Sequence, residues 1–110
     1  MGYLGEFEQL ILFTVLRLGN EAYGVTIREA IEARTGRLVS SGSIYTSLGR
    51  LERRGLVTSR VGETTTGRVG RPRKYYTLNP SGARALKTSY NTIQAVGADL
   101  IPALDQLAEG

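Results

Sequence analysis

The chain contains no cysteine, no histidine and no tryptophan. Without cysteine there is no disulfide framework and no thiolate chemistry. Without histidine as well, a zinc site would rest on carboxylates alone, a poor donor set for that metal. The usual general base near neutral pH is missing too. The ten Asp and Glu are scattered, with no paired-carboxylate spacing. No catalytic residue, metal site or cofactor is therefore expected, and the chain does not read as an enzyme. Long hydrophobic runs are also lacking. Leu10 to Leu16, the main apolar run, is too short to span a bilayer. The N-terminus has neither the basic start nor the apolar stretch of a signal peptide. A soluble, cytoplasmic protein with no membrane partner is expected.

What the chain does have is unevenly placed positive charge. Its 110 residues suit a single domain and carry a net charge of +4. From Arg34 to Lys74 there are ten basic and two acidic residues, a local +8. The flanking segments are mildly acidic, at −3 before this window and −1 after it. A basic middle between acidic ends is the footprint of a polyanion-binding surface, although an Arg-rich solvated face would have the same composition.

Hydrophobic spacing predicts a helix over 6–18, where Phe7, Leu10, Ile11, Val15 and Leu18 recur at helical intervals. Leu12, Phe13 and Leu16 add apolar groups on the other side. A helix apolar nearly all round is buried on more than one face, and a second subunit is one way to cover it. A second helix is predicted over 24–35, preceded by Tyr23 and closed by Gly36. Ser40 to Ser43 offer N-caps for a third helix, whose buried stripe is Ile44, Leu48 and Leu51 and whose end is Gly55. Strands are predicted over 56–61 and 73–78, joined by a long Gly/Arg-rich loop. Asn79-Pro80 then opens a last helix, with Asn as cap and Pro at the first turn. Leu86, Tyr90, Ile93, Gly97, Leu100, Leu104 and Leu107 step alternately by four and three residues along it. That heptad seam fits packing along a partner helix, and equally fits covering the domain's own core. Pro102 is expected to kink or restart this helix.

The order helix, helix, helix, strand, loop, strand, helix predicts a mainly α fold with a two-stranded β-hairpin wing. Residues 1–79 would form a winged helix-turn-helix and residues 80–110 a C-terminal dimerisation helix. The third helix has the two faces that major-groove entry requires, one apolar for docking and one bearing short polar groups and arginine. Ser43, Thr46 and Ser47 allow close approach, and Arg50 is suited to bidentate contact with guanine or phosphate. Arg54 near the end of the helix is either a backbone clamp or plain surface charge. In the wing, Arg68, Arg71 and Arg73 beside Gly67 and Gly70 suit a groove or the phosphates. Gly49 weakens the third helix and permits a close approach by backbone or ligand.

Two stretches resemble the PadR-like transcriptional regulators. One is Gly42-Ser43-Ile44-Tyr45-Thr46-Ser47-Leu48-Gly49-Arg50-Leu51-Glu52-Arg53-Arg54-Gly55-Leu56-Val57. The other is Gly70-Arg71-Pro72-Arg73-Lys74-Tyr75-Tyr76-Thr77-Leu78, followed by Gly82 and Leu86. Tyr23-Gly24 fits as well, and the resemblance spans roughly residues 7–88. It implies a homodimeric regulator, in most cases a repressor, on palindromic promoter DNA. The third helix would read the major groove and the wing the flanking groove. Tyr45 is similar to a tyrosine that touches the DNA backbone, and Arg73 and Lys74 match the base of the wing. The C-terminal helix would pack on the partner's N-terminal region, which makes Phe7, Leu10, Leu12, Phe13, Leu86, Tyr90, Ile93, Leu100, Leu104 and Leu107 the dimerisation residues. Some small members bind flat aromatic drugs between subunits through a tryptophan. This chain has none, so a small hydrophobic effector would instead line up against Tyr90 or Phe7. The competing readings are a protein-interaction module and a nonspecific nucleic-acid-binding dimer.

Overall fold

The structure, a computed structural model, describes residues 3–62 and 72–110. Three helices come first: α1 (Glu6–Leu18), α2 (Gly24–Thr35) and α3 (Ser41–Arg53). Strands β1 (Val57–Val61) and β2 (Lys74–Leu78) follow, then α4 (Pro80–Gly97) and α5 (Ile101–Glu109). Single 3-10 turns occupy Gly19–Glu21 and Ala98–Leu100.

Local chemistry sets these boundaries. Glu6 and Glu8 in the first turn of α1 and Arg17 in its last turn oppose the partial charges of the helix ends. Gly36 closes α2 at φ 70°, a left-handed conformation that glycine adopts without strain. The Ser40 hydroxyl accepts from the Ser43 N–H at 3.1 Å and caps α3. The Asn79 side chain accepts from the Gly82 N–H at 2.8 Å and donates to the Gly55 carbonyl at 2.9 Å. Caps of this kind contribute about 1 kcal/mol each.

The three helices enclose one core. Ile11, Leu12 and Val15 of α1 meet Ile27 and Ile31 of α2 and Ile44, Leu48 and Leu51 of α3. Val57 and Tyr76 close it from the sheet and Leu86 from α4. Each such side chain contributes about 1.5–3 kcal/mol when fully buried. The strands pair antiparallel, with Val57 opposite Leu78 and Val61 opposite Lys74. Tyr23 adds a single bridge to Tyr75, and the Tyr76 N–H donates to the Ala22 carbonyl at 2.8 Å. The wing is thereby stitched to the chain just before α2. At the other end, the Leu4 N–H donates to the buried Ser89 hydroxyl, which ties the N-terminal segment to α4.

One expectation needs correction. Leu12 and Leu86, assigned to a dimer surface, are buried in the protomer's own core. Phe7 and Leu10 pack on the edge of the same core. The C-terminal helix restarts at Pro102, as its sequence predicts. Proline has no N–H to offer the carbonyl four residues back, which is that of Ala98, and its ring crowds that turn. The chain therefore leaves the α conformation at Ala98–Leu100, and α5 starts afresh with Pro102 in its first turn.

Candidate nucleic-acid interface

Helices α2 and α3 are joined by residues 36–40, and α3 presents two chemically distinct faces. Ile44, Leu48 and Leu51 point into the core. Ser43, Thr46, Arg50 and Arg53 are exposed on the other side. Among the described residues, the side chains of Arg50 and Arg53 make no hydrogen bond or ion pair, so their donors face solvent. Ser43 donates to the Ser40 carbonyl at 2.9 Å, so part of its capacity is spent on the cap. Ser47, expected on the reading face, is buried. It lies three residues after Ile44 and four before Leu51, within the core stripe.

Tyr45 is half exposed, and its hydroxyl end lies against Gly24 at the start of α2. A Cβ at Gly24 would overlap that ring. A glycine there lets the start of α2 and the first turn of α3 approach closely, with the Tyr45 hydroxyl at the helix N-terminus.

Gly49 is different. A Cβ there would meet only the tip of Arg53 at 3.4 Å. The fold does not need glycine at this position, yet the helix loses about 1 kcal/mol relative to alanine. The bare backbone sits between Thr46 and Arg50 on the same side of α3. Gly49→Ala is expected to raise protomer stability by about 0.5–1 kcal/mol while weakening duplex binding severalfold. Paired melting and binding measurements check this. A gain in both properties would remove close approach as the reason for the glycine.

The other expected contacts divide. Arg54 turns away from the exposed face of α3 and pairs with Glu8 of α1 at 3.2 Å, so its assignment to DNA is corrected to a tie between α1 and α3. Lys74 pairs with Glu52 at 2.9 Å, and Glu52 also accepts from the Ser59 hydroxyl at 2.5 Å. The Ser59 bond first, then Lys74, holds the Glu52 carboxyl below the usual carboxylate range. The Glu52 bond in turn raises Lys74. This trio fastens the end of α3 to both strands, so Lys74 acts first as a brace. Arg73 is exposed and lies 4.6 Å over the Tyr23 ring. Arg68 and Arg71 lie outside the described residues. Arg60, in sequence one charge among the basic middle, stands on the sheet's outer face. Its role depends on strand register, which composition does not convey.

The expected dimerisation residues separate in the same way. Phe13 and Tyr90 meet edge-to-face at 5.2 Å within the protomer, and both remain partly exposed. Ile93, Leu100, Leu104 and Leu107 are exposed, together with Leu16, Val96 and Ile101. Among the described residues, no group of metal-ligating side chains gathers, and no helix is long and apolar enough to cross a membrane.

Comparison with known proteins supports the same arrangement. The model of the transcriptional regulator PadR-like family matches residues 12–88. A PadR-like transcriptional regulator from Bacillus cereus superposes with a TM-score of 0.70 at 23% identity, covering 94% of this chain and 92% of that one. A PadR family transcriptional regulator from Eggerthella lenta gives 0.64 at 26% identity, covering 94% and 81%. The Bacillus subtilis PadR in complex with operator DNA gives 0.63 at 27% identity, covering 74% of this chain and 45% of that one. No curated protein gives a significant match.

Proposed function

This chain belongs to the PadR-like family of DNA-binding transcriptional regulators, and we propose that it acts as a homodimeric repressor on a two-fold-related operator. The observation that carries the DNA half of this reading is the exposed face of α3. Ser43, Thr46 and Arg50 stand clear of the core around a bare Gly49, and Arg50 keeps its donors open to solvent. Arg50 reaches base edges or phosphates in the major groove, with Arg53 alongside. Tyr45 at the α2 N-terminus contacts the backbone, and the wing, with Arg73 at its base, follows the flanking groove. That the Bacillus subtilis relative is seen on operator DNA supports assigning the same kind of target here.

The dimer half rests on α5. Every residue of α5 is exposed in the single protomer. A helix of nine residues has little stability of its own. Leu104 and Leu107, 56% and 78% exposed, continue the apolar strip of Ile93 and Val96 along α4. A second copy covering this strip and the exposed Phe13 and Leu16 of α1 would stabilise both helices. Two-fold symmetry then places the two recognition helices about 34 Å apart, one turn of duplex.

An effector would release the complex by changing this geometry. An open groove of about 680 Å³ has room for a small hydrophobic molecule. Tyr3, Leu56 and Ala85 supply its apolar lining and Arg54 and Arg84 its charged rim. Phe7 and Tyr90 do not line it. Because Arg54 directly follows α3, a ligand there would act on the recognition helix.

Sedimentation tests the dimer. The wild-type protein is expected at twice the chain mass at micromolar concentration. Ile93→Asp with Leu104→Asp is expected to sediment as a monomer. Its affinity for a two-fold site should fall by about 10²-fold, since bivalent attachment is lost. A double variant that stays dimeric would place the interface elsewhere.

A further inference from the structure

The outer face of the sheet carries a cluster of two arginines and two tyrosines. In the antiparallel register Arg60 stands opposite Tyr75. The Arg60 guanidinium lies 4.4 Å over the Tyr75 ring, and its Nη2 donates to the Asn20 carbonyl at 3.2 Å. The Tyr75 ring meets Tyr23 edge-on, with centroids 5.3 Å apart. Arg73 lies over the other ring of this pair, that of Tyr23, and its side chain also interacts with Tyr75. The Gly62 N–H donates to the Arg73 carbonyl at 2.7 Å, and a Cβ at Gly62 would overlap the Tyr75 ring. Both rings are partly buried, whereas Arg60 and Arg73 are exposed.

Stacking on a ring engages the face of a guanidinium and leaves its in-plane N–H donors available. Arg60 gives one donor to Asn20 and keeps the rest for another acceptor. A planar cation fixed in this way is ready for a phosphate oxygen at little further ordering cost. The location fits. Tyr23 directly precedes Gly24, against which the hydroxyl end of Tyr45 of α3 lies. The cluster also holds Gly62 and Arg73 together, where the chain leaves β1 and returns to β2.

We infer that Arg60 is a further contact to the DNA backbone and that Tyr75 is a positioning residue, orienting Arg60 for that contact before DNA arrives. This rests on the DNA-binding reading above. Tyr75 holds the face of the Arg60 guanidinium by its ring, so the ring rather than the hydroxyl is what Arg60 needs.

The test is the slope of log affinity against log salt, measured with the full chain on a duplex of fixed random sequence. Arg60→Gln is expected to reduce the slope by about 0.9 per bound protomer, the signature of one lost phosphate contact, with the melting temperature lowered by no more than a few degrees. Tyr75→Leu removes no charge yet is expected to reduce the slope comparably, and Tyr75→Phe to retain the wild-type slope. An unchanged slope for Arg60→Gln, beside a wild-type protein that binds normally, overturns this inference alone. A reduced slope for Arg60→Gln with none for Tyr75→Leu overturns the positioning role. A wild-type protein that binds no duplex overturns the DNA reading itself.

Discussion

Reversing two charges, Arg50→Glu with Arg73→Glu, is expected to lower operator affinity by about a thousandfold or more, with stability changed by no more than about 1 kcal/mol. Losing one well-placed arginine contact costs about 1–3 kcal/mol, and replacing cation by anion adds repulsion from the phosphates. A dimer carries each change twice. Neither side chain supports the core. The Arg50 side chain has no hydrogen-bond or ion-pair partner among the described residues. Arg73 gives up its stacking on Tyr23, an exposed cation–π contact of about 0.5–1 kcal/mol, and an exposed side-chain interaction with Tyr75. Thermal melting beside a binding titration separates the two effects. If regulation of the target in cells survives the double variant, the basic face is incidental and the chain works as a protein-interaction module.

Gly82→Val is expected to be the most damaging single change to the fold. At this glycine α4 crosses the turn after α3, and a Cβ would overlap the Leu56 carbonyl oxygen and crowd the Leu78 side chain. A backbone carbonyl cannot rotate away as a side chain does. The Gly82 N–H is also fixed by the Asn79 cap. Overpacking typically costs about 1–3 kcal/mol. A branched side chain against backbone belongs at the upper end, so the melting temperature should fall by roughly 10–20 °C. Gly97→Ala is the control, because a Cβ there meets nothing within 4 Å. Equal melting temperatures for Gly82→Val and wild type would mean that α4 does not cross this turn as closely as described.

Both glycines lie in regions whose outline can be read from the sequence, and the contrast between them shows where such reading stops. Helix ends were legible because their signals are local. Ser40, Asn79-Pro80 and Gly36 act on backbone groups within a few residues of themselves. The strands and the order of elements were legible for the same reason. Partner choice was not. Leu12 and Leu86 satisfy a helical pattern whether they face a neighbour or their own core, and only the packing of α1 against α4 decides. Ser47 looks like a surface residue until the Ile44–Leu51 stripe is drawn around it. Arg54 and Lys74 look free until Glu8 and Glu52 arrive from elements distant in the chain. Pro102 announced a break, which falls in the turn before it because proline disrupts the carbonyl four residues back. The Arg60–Tyr75 pairing required the register of β1 on β2, which no local signal encodes.

The most direct measurement is a titration of the purified protein against DNA from upstream of its own gene. A scrambled duplex is run alongside, and both are repeated across salt concentrations. A preference of about 10³-fold or more for the upstream DNA at roughly physiological salt is expected of a specific regulator, with the preference lost in the Arg50→Glu, Arg73→Glu variant. Equal affinity for the two duplexes, falling steeply and identically with salt for a genome-wide set of fragments as well, would contradict sequence-specific recognition through α3 and leave a nonspecific polyanion-binding surface.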